Sequence, residues 1–130
     1  MIDQQLYERL TGDATLMSMV EKVYNTVAYE EAPASVPYPH LVFWWLGGTD
    51  EYTLTTRIRV VGRYEIRITG EITSLAAMQT ALVRVETLLK DHAFAGTLYC
   101  RRQMRMPHTT TMESGLLRGQ VRAIYQVEVR

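Results

Sequence analysis

Between Tyr52 and Thr69 the apolar residues fall on even positions, Leu54, Ile58 and Val60 and then Tyr64, Ile66 and Ile68, with Arg57, Arg59, Glu65 and Arg67 between them. A period of two is that of a strand with one covered and one open face. A three-residue loop at Val61-Gly62-Arg63 folds this stretch into a hairpin that sets Val60 opposite Tyr64, Ile58 opposite Ile66 and Arg59 opposite Glu65, so faces and charges agree. A two-residue turn at Val61-Gly62 mixes the faces. One unbroken strand keeps the alternation equally well, but typical strands run to about five or six residues, so the hairpin is the expectation.

The period changes elsewhere. Ile2, Leu6 and Leu10 lie four apart and predict a short helix that Thr11-Gly12 ends. Asp13 then predicts the N-cap of a second short helix, with Leu16, Met17 and Val20 on its buried side. Leu75, Met78, Leu82, Val85 and Leu89 recur at three and four residues behind Ser74, a second N-cap candidate, and predict the longest helix, ending near Asp91. Lys22 to Val27 reads as a first strand. Ala28 to His40, with Pro33, Pro37 and Pro39, reads as a loop. Leu41 to Leu46 is a continuous apolar run expected to be a strand covered on both faces and stopped by Gly47-Gly48. Thr97 to Met104 and Gln120 to Arg130 read as paired strands, and Met106 to Gly119, Thr-rich and without periodicity, as a long loop or flap. Together these predict an α+β fold, a mostly antiparallel sheet with one long helix packed across it and short N-terminal helices.

Composition narrows the picture. At 130 residues the chain fits a single domain, 1–130. No apolar run reaches the roughly 18 residues of a membrane helix, and the first residues lack the pattern of a signal peptide, so no membrane role is expected. A lone Cys100 has no internal disulfide partner and no metal-spaced neighbour, and is expected on a strand. Fourteen basic residues balance fourteen acidic ones, which disfavours tight binding to a polyanion. Twelve of the basic residues are Arg and two Lys. Arg is enriched and Lys depleted in protein interfaces, although a genomic bias towards Arg accounts for the ratio equally well.

Candidate chemistry is sparse. There is no nucleophile elbow, and His40, His92 and His108 lie far apart, so no catalytic, cofactor or metal residues are assigned. Glu30-Glu31 and Asp50-Glu51 are adjacent carboxylates with no second cluster to complete a metal site. Arg101, Arg102 and Arg105, with Arg118 and Arg122, form the one basic concentration. Three readings compete for it: DNA contact, a solvated strand edge, and Arg forks that meet carboxylates of a neighbouring subunit. Trp44 and Trp45 are either partner anchors or core.

Four local patterns carry a resemblance: Asp13-Ala14-x-Leu16-x-x-Met19-Val20 leading to Val23-Tyr24, the segment Val36-Pro37-Tyr38-Pro39-His40-Leu41-Val42, the single long helix from Leu75, and the closing strand from Gly119 to Val129. Over most of its length the chain resembles the tail completion or tail terminator family of long-tailed phages. The resemblance implies a non-enzymatic subunit of a homo-oligomeric ring, expected to be a hexamer, which ends tail-tube polymerisation. Its implied partners are the tail tube protein and the head connector or stopper, with DNA met only as it passes through the ring. Its implied place is the head-tail junction of a virion assembled in the host cytoplasm. The expected interface residues are Tyr38, His40, Arg101, Arg102, Arg105, His108 and Arg118. A head-completion or connector stopper protein shares these features, and a small ligand-binding or enzymatic domain is the third reading. The extra strand of the expected hairpin departs from the family pattern.

Overall fold

The computed structural model describes residues 2–25, 39–52, 57–90, 92, 97–113 and 116–129. The helical spacing at the start of the chain forms α1 (Ile2–Thr11), which buries Leu6 and Leu10. The Asp13 carboxylate accepts a bond from the Leu16 backbone N–H at 2.8 Å and so opens α2 (Ala14–Met17), as an N-cap should. Five strands follow: β1 (Lys22–Asn25), β2 (His40–Tyr52), β3 (Arg57–Glu71), β4 (Thr97–Glu113) and β5 (Leu116–Val129). Between β3 and β4 a short 3-10 turn, Ile72–Ser74, leads into α3 (Leu75–Leu89). Ser74 occupies the N-cap position, but its side chain makes no capping bond.

The fold is α+β as expected, with the sheet order β1-β2-β3-β5-β4. The sheet is mixed, because β1 runs parallel to β2 while the other neighbours are antiparallel. On the side of the sheet that faces the helices, Tyr64, Ile66 and Ile68 of β3 stand opposite Tyr125, Ala123 and Val121 of β5. Met78, Leu82, Val85 and Leu89 of α3 seal them, and all of these are at most 3% exposed. At about 25 cal/mol per Å² of apolar surface removed from water, this layer is the main source of fold stability.

Four expectations are corrected. The chain does not turn at Val61-Gly62-Arg63: β3 runs unbroken through Gly62 and the hairpin joins β2 to β3 instead. Gly62 is needed for close approach, since a Cβ there would lie 1.7 Å from the Trp45 ring. A strand flanked along its length by β2 and β5 has both edges paired, so its length exceeds the usual one at no cost in open backbone groups.

Gly47-Gly48 does not end β2. Gly47, at φ 116°, absorbs a register shift between Trp45 and Gly47 and the strand continues to Tyr52. The apolar run is covered on both faces only at its start, where Leu41, Val42 and Phe43 are buried, while Trp45 and Leu46 are exposed.

His40 is not a loop residue. It is the first residue of β2, pairs with Lys22 and Thr69, and is 0% exposed. Residues 28–38 of that expected loop, and the last two residues of the expected first strand, lie outside the described residues.

Met106 to Gly119 is not a flap. Its described residues extend β4 and β5 into a long hairpin, with Pro107 falling in a register shift between Met106 and Thr109. Proline is tolerated there because an edge strand with a local irregularity does not need that N–H.

Candidate assembly surface

β4 is the last strand of the sheet and carries most of the basic concentration. Register places Arg101 opposite Gln126, Arg102 opposite Tyr125 and Arg105 opposite Ala123, with a shift between Arg102 and Met104. Arg102 stands on the helix side with Tyr125, the extra residue after it brings Arg105 to that side as well, and Arg101 lies on the open side. All three are exposed, as is His108 further along the strand. Arg102 has its Nε 4.0 Å from Glu86. A half-exposed pair at that distance contributes little. Arg102 and Arg105 are therefore held on the surface by a rigid strand with their guanidinium groups available to a partner.

The other two members of the concentration are used inside the subunit. Arg118, on β5, reaches Glu71 at 3.8 Å and is only 11% exposed in its side chain. Arg122 reaches Glu65 at 3.9 Å, and Glu65 also accepts from Arg67 at 3.2 Å. Arg67 lies over the Trp44 ring, 4.8 Å from its centroid. The open face of the sheet is thus laid with an Arg67–Glu65–Arg122 ion network. The five arginines do not form one basic patch, which weakens the DNA reading relative to the two others.

The remaining expected interface residues divide. Tyr38 lies outside the described residues. His40 is enclosed by the strands beside it and stacks edge-on against Tyr24, with ring centroids 6.3 Å apart. The three histidines are not brought together, since His40 and His108 sit on β2 and β4 with β3 and β5 between them, and His92 follows α3. His92 titrates below its usual range because of partial burial and then the nearby Arg9 charge.

Elsewhere, polar groups are tied into structure. Arg84 grips Asp13 with two bonds of 2.9 and 2.7 Å and, with the Leu16 N–H, holds that carboxyl at about 2. Arg9 donates to the Leu88 carbonyl at 3.0 Å and so satisfies an end carbonyl of α3. The Tyr125 hydroxyl donates to Glu86 at 2.8 Å, and burial followed by that bond holds its phenol well above the usual range. Burial, with the Glu86 charge behind it, pushes the Cys100 thiol up to about 12.

A cleft of about 420 Å³ between α1 and β1 is lined by Asp3, Tyr7, Lys22 and Tyr24. Asp3 is already committed there, accepting from the Tyr64 hydroxyl and from Asn25 Nδ2. No nucleophile stands beside a base in it. Among the described residues no three of His, Cys, Asp and Glu converge as a metal site would require, and no helix is long and apolar enough to cross a membrane.

Sequence reasoning missed the ion network on the open face and the apolar tip of the long hairpin. The first had a signal in the odd-numbered charges of β3; the second had none, since it depends on where β3 stops.

No family model matches the chain, and no curated protein does. Solved structures do. A chain of the virion of a native gene transfer agent particle superposes with a TM-score of 0.74 at 17% identity, covering 95% of this chain and 90% of that one. The gp17 protein of bacteriophage SPP1 superposes with a TM-score of 0.50 at 13% identity, covering 95% and 86%. At such identities the likeness is one of fold. The fold is one found in a chain of a gene transfer agent virion and in a bacteriophage protein.

Proposed function

We propose that the chain is a structural virion protein, one subunit of a ring that closes the head-proximal end of a phage tail and joins it to the head. The observation that carries this reading is the fold shared, over nearly the whole of both chains, with a chain of a gene transfer agent virion. Three features of the molecule support it. The polar groups of the helix layer are paired within the subunit rather than gathered around a cavity. The outer strand holds Arg101, Arg102, Arg105 and His108 on the surface, where planar Arg forks suit bidentate contact with carboxylates of another chain. The sheet ends in a long hairpin that reaches past its neighbours, as a segment gripped by a second chain must.

In this reading the ring is a hexamer and the tail tube and head connector are its partners. Tyr38, the β4 arginines and His108 lie at contacts with them or between subunits, and Arg118 is held by Glu71 within the subunit. His40 supports the strand beneath instead. Native mass spectrometry of the purified chain, alone and mixed with tail tubes of its phage, tests the proposal. A single closed oligomer in either arm is the expected result, and a monomer in both arms overturns it.

A further inference from the structure

We infer that Arg105, on β4 of one copy, seats in the cleft between α1 and β1 of a second copy, so that neighbouring subunits meet edge to edge. This rests on the ring reading and names the contact that builds it. Across the sheet from Arg105 the paired residues are Ala123 of β5, Ile66 of β3, Phe43 of β2 and Asn25 of β1. Phe43 and Asn25 line the cleft. The arginine and the cleft therefore stand in one row on the helix side, at opposite ends of the sheet. A second copy set beside the first, with no slip along the strands, brings Arg105 to the cleft.

The two ends are chemically complementary. Arg105 is exposed, and its strand holds no carboxylate from Thr97 to Met112. The cleft, about 420 Å³, has room for an arginine side chain. In its lining the Tyr7 ring is 40% exposed and offers a face to a planar guanidinium. The Asp3 carboxylate lies in the same lining. A carboxylate has about four accepting positions. The Tyr64 hydroxyl takes one on Oδ1 and Asn25 Nδ2 one on Oδ2, which among the described residues leaves others for an incoming donor. Gln4, also in the lining, donates to Glu8 at 2.8 Å and so holds a second carboxylate at the rim. Lys22 is the one cation in the lining, with its ammonium over the Tyr24 ring, 5.6 Å from the centroid. Asp3 and Glu8 together outweigh it, so the cleft favours a further cation.

A copy cannot fill its own cleft, because β1 and β4 are the outer strands of the order β1-β2-β3-β5-β4. At about 4.8 Å between neighbouring strands they lie roughly 19 Å apart. Each copy therefore offers a cation at one edge and a receptor at the other. Such heterologous contacts propagate from copy to copy and close into a ring where the rotation between copies permits.

The test uses the assembled chain, with tail tubes added if assembly needs them. Arg105→Glu sets a carboxylate against Asp3 and Glu8 and is expected to lower the assembled fraction about tenfold at fixed concentration, and Gln4→Arg, added to it, to restore assembly. Both positions are exposed, so these variants are expected to melt as the parent does. Gln4→Cys and Arg102→Cys, which keep Arg105, form the second measurement with a short bis-maleimide. The native Cys100 is buried and does not compete. The double cysteine variant is expected to give a ladder of cross-linked species, a mixture of the two single variants to give dimers, and each single variant alone to give neither. Rings that form without a ladder and without rescue overturn this contact and leave the ring reading in place. Protection of the Gln4→Cys thiol by tail tubes in the absence of a ladder assigns the cleft to the tube and likewise overturns it. A chain that stays monomeric in every arm removes the ring reading, and the contact falls with it.

Discussion

Ile66 and Arg67 are neighbours on β3, yet they belong to two surfaces held together by different physics. The helix face of the sheet is closed by apolar burial, with Ile66 and Ile68 at 0% exposure under α3. The open face is laid with Arg67, Glu65 and Arg122, which pair with one another and keep part of their surface in water. Apolar burial is non-directional and scales with area. An ion network is directional, and the cost of taking its charges out of water offsets much of its attraction. The difference assigns the two faces different work: the first makes the subunit fold, and the second presents patterned charge at modest cost to stability.

The comparison is most sharply drawn by truncating each face. Ile66→Ala is expected to lower unfolding free energy by about 2–5 kcal/mol, read from urea denaturation, because the neighbours of a fully buried site only partly close the cavity. A loss below about 1 kcal/mol would mean that the helix face is not the sealed core described here. On the open face, Glu65→Ala is expected to cost about 1–3 kcal/mol by leaving Arg67 and Arg122 without their shared acceptor. Equal losses at Ile66 and Glu65 would erase the distinction between the faces.

The helix layer has one strong ion pair of its own, and pH separates it from the rest. The Asp13 carboxyl is depressed to about 2 by the Arg84 bonds first and the Leu16 N–H second. A depressed acid contributes stability that is fully present above its unfolded value of 3.8 and is lost as pH falls towards 2. Thermal melts between pH 5 and pH 2 should therefore fall less steeply in Asp13→Asn than in the parent, with the variant the less stable at pH 5. Parallel curves would show that Arg84 does not hold this carboxyl. The smallest effect on folding is expected at the outer strand: Arg105→Ala should change stability by no more than about 0.5 kcal/mol while lowering the assembled fraction. A melting shift as large as that of Glu65→Ala would place Arg105 in the fold rather than on the assembly surface.

Much of this was legible in the chain itself, where the signal is local. The buried alternation of Tyr64, Ile66 and Ile68, the stripe of α3 and the Asp13 cap came out as read, because each depends on residues within one or two turns or on alternate strand positions. The basic residues Arg101, Arg102 and Arg105 were recognisable as a group and lie together on β4. Their grouping with Arg118 and Arg122 did not hold, because the carboxylates that take those two up, Glu71 and Glu65, come from a strand on the other side of α3 in sequence. The stretch from Met106 looked like a loop for a physical reason as well: the register shift between Met106 and Thr109, at Pro107, interrupts the alternation that would mark a strand.

What the sequence by itself determined is therefore the period of each segment and the chemistry of its caps. Whether the chain turned at Gly62 or ran straight past it was decided only by the tertiary structure, since the alternation is the same in both cases. Trp45, brought in by β2, occupies the space a side chain at Gly62 would need, and β5 supplies the second edge of β3. Periodicity is set by near neighbours, whereas strand partners are set by contacts whose loop-closure cost grows only slowly with separation. Several pairings thus remain open to the same pattern until the packed core selects one.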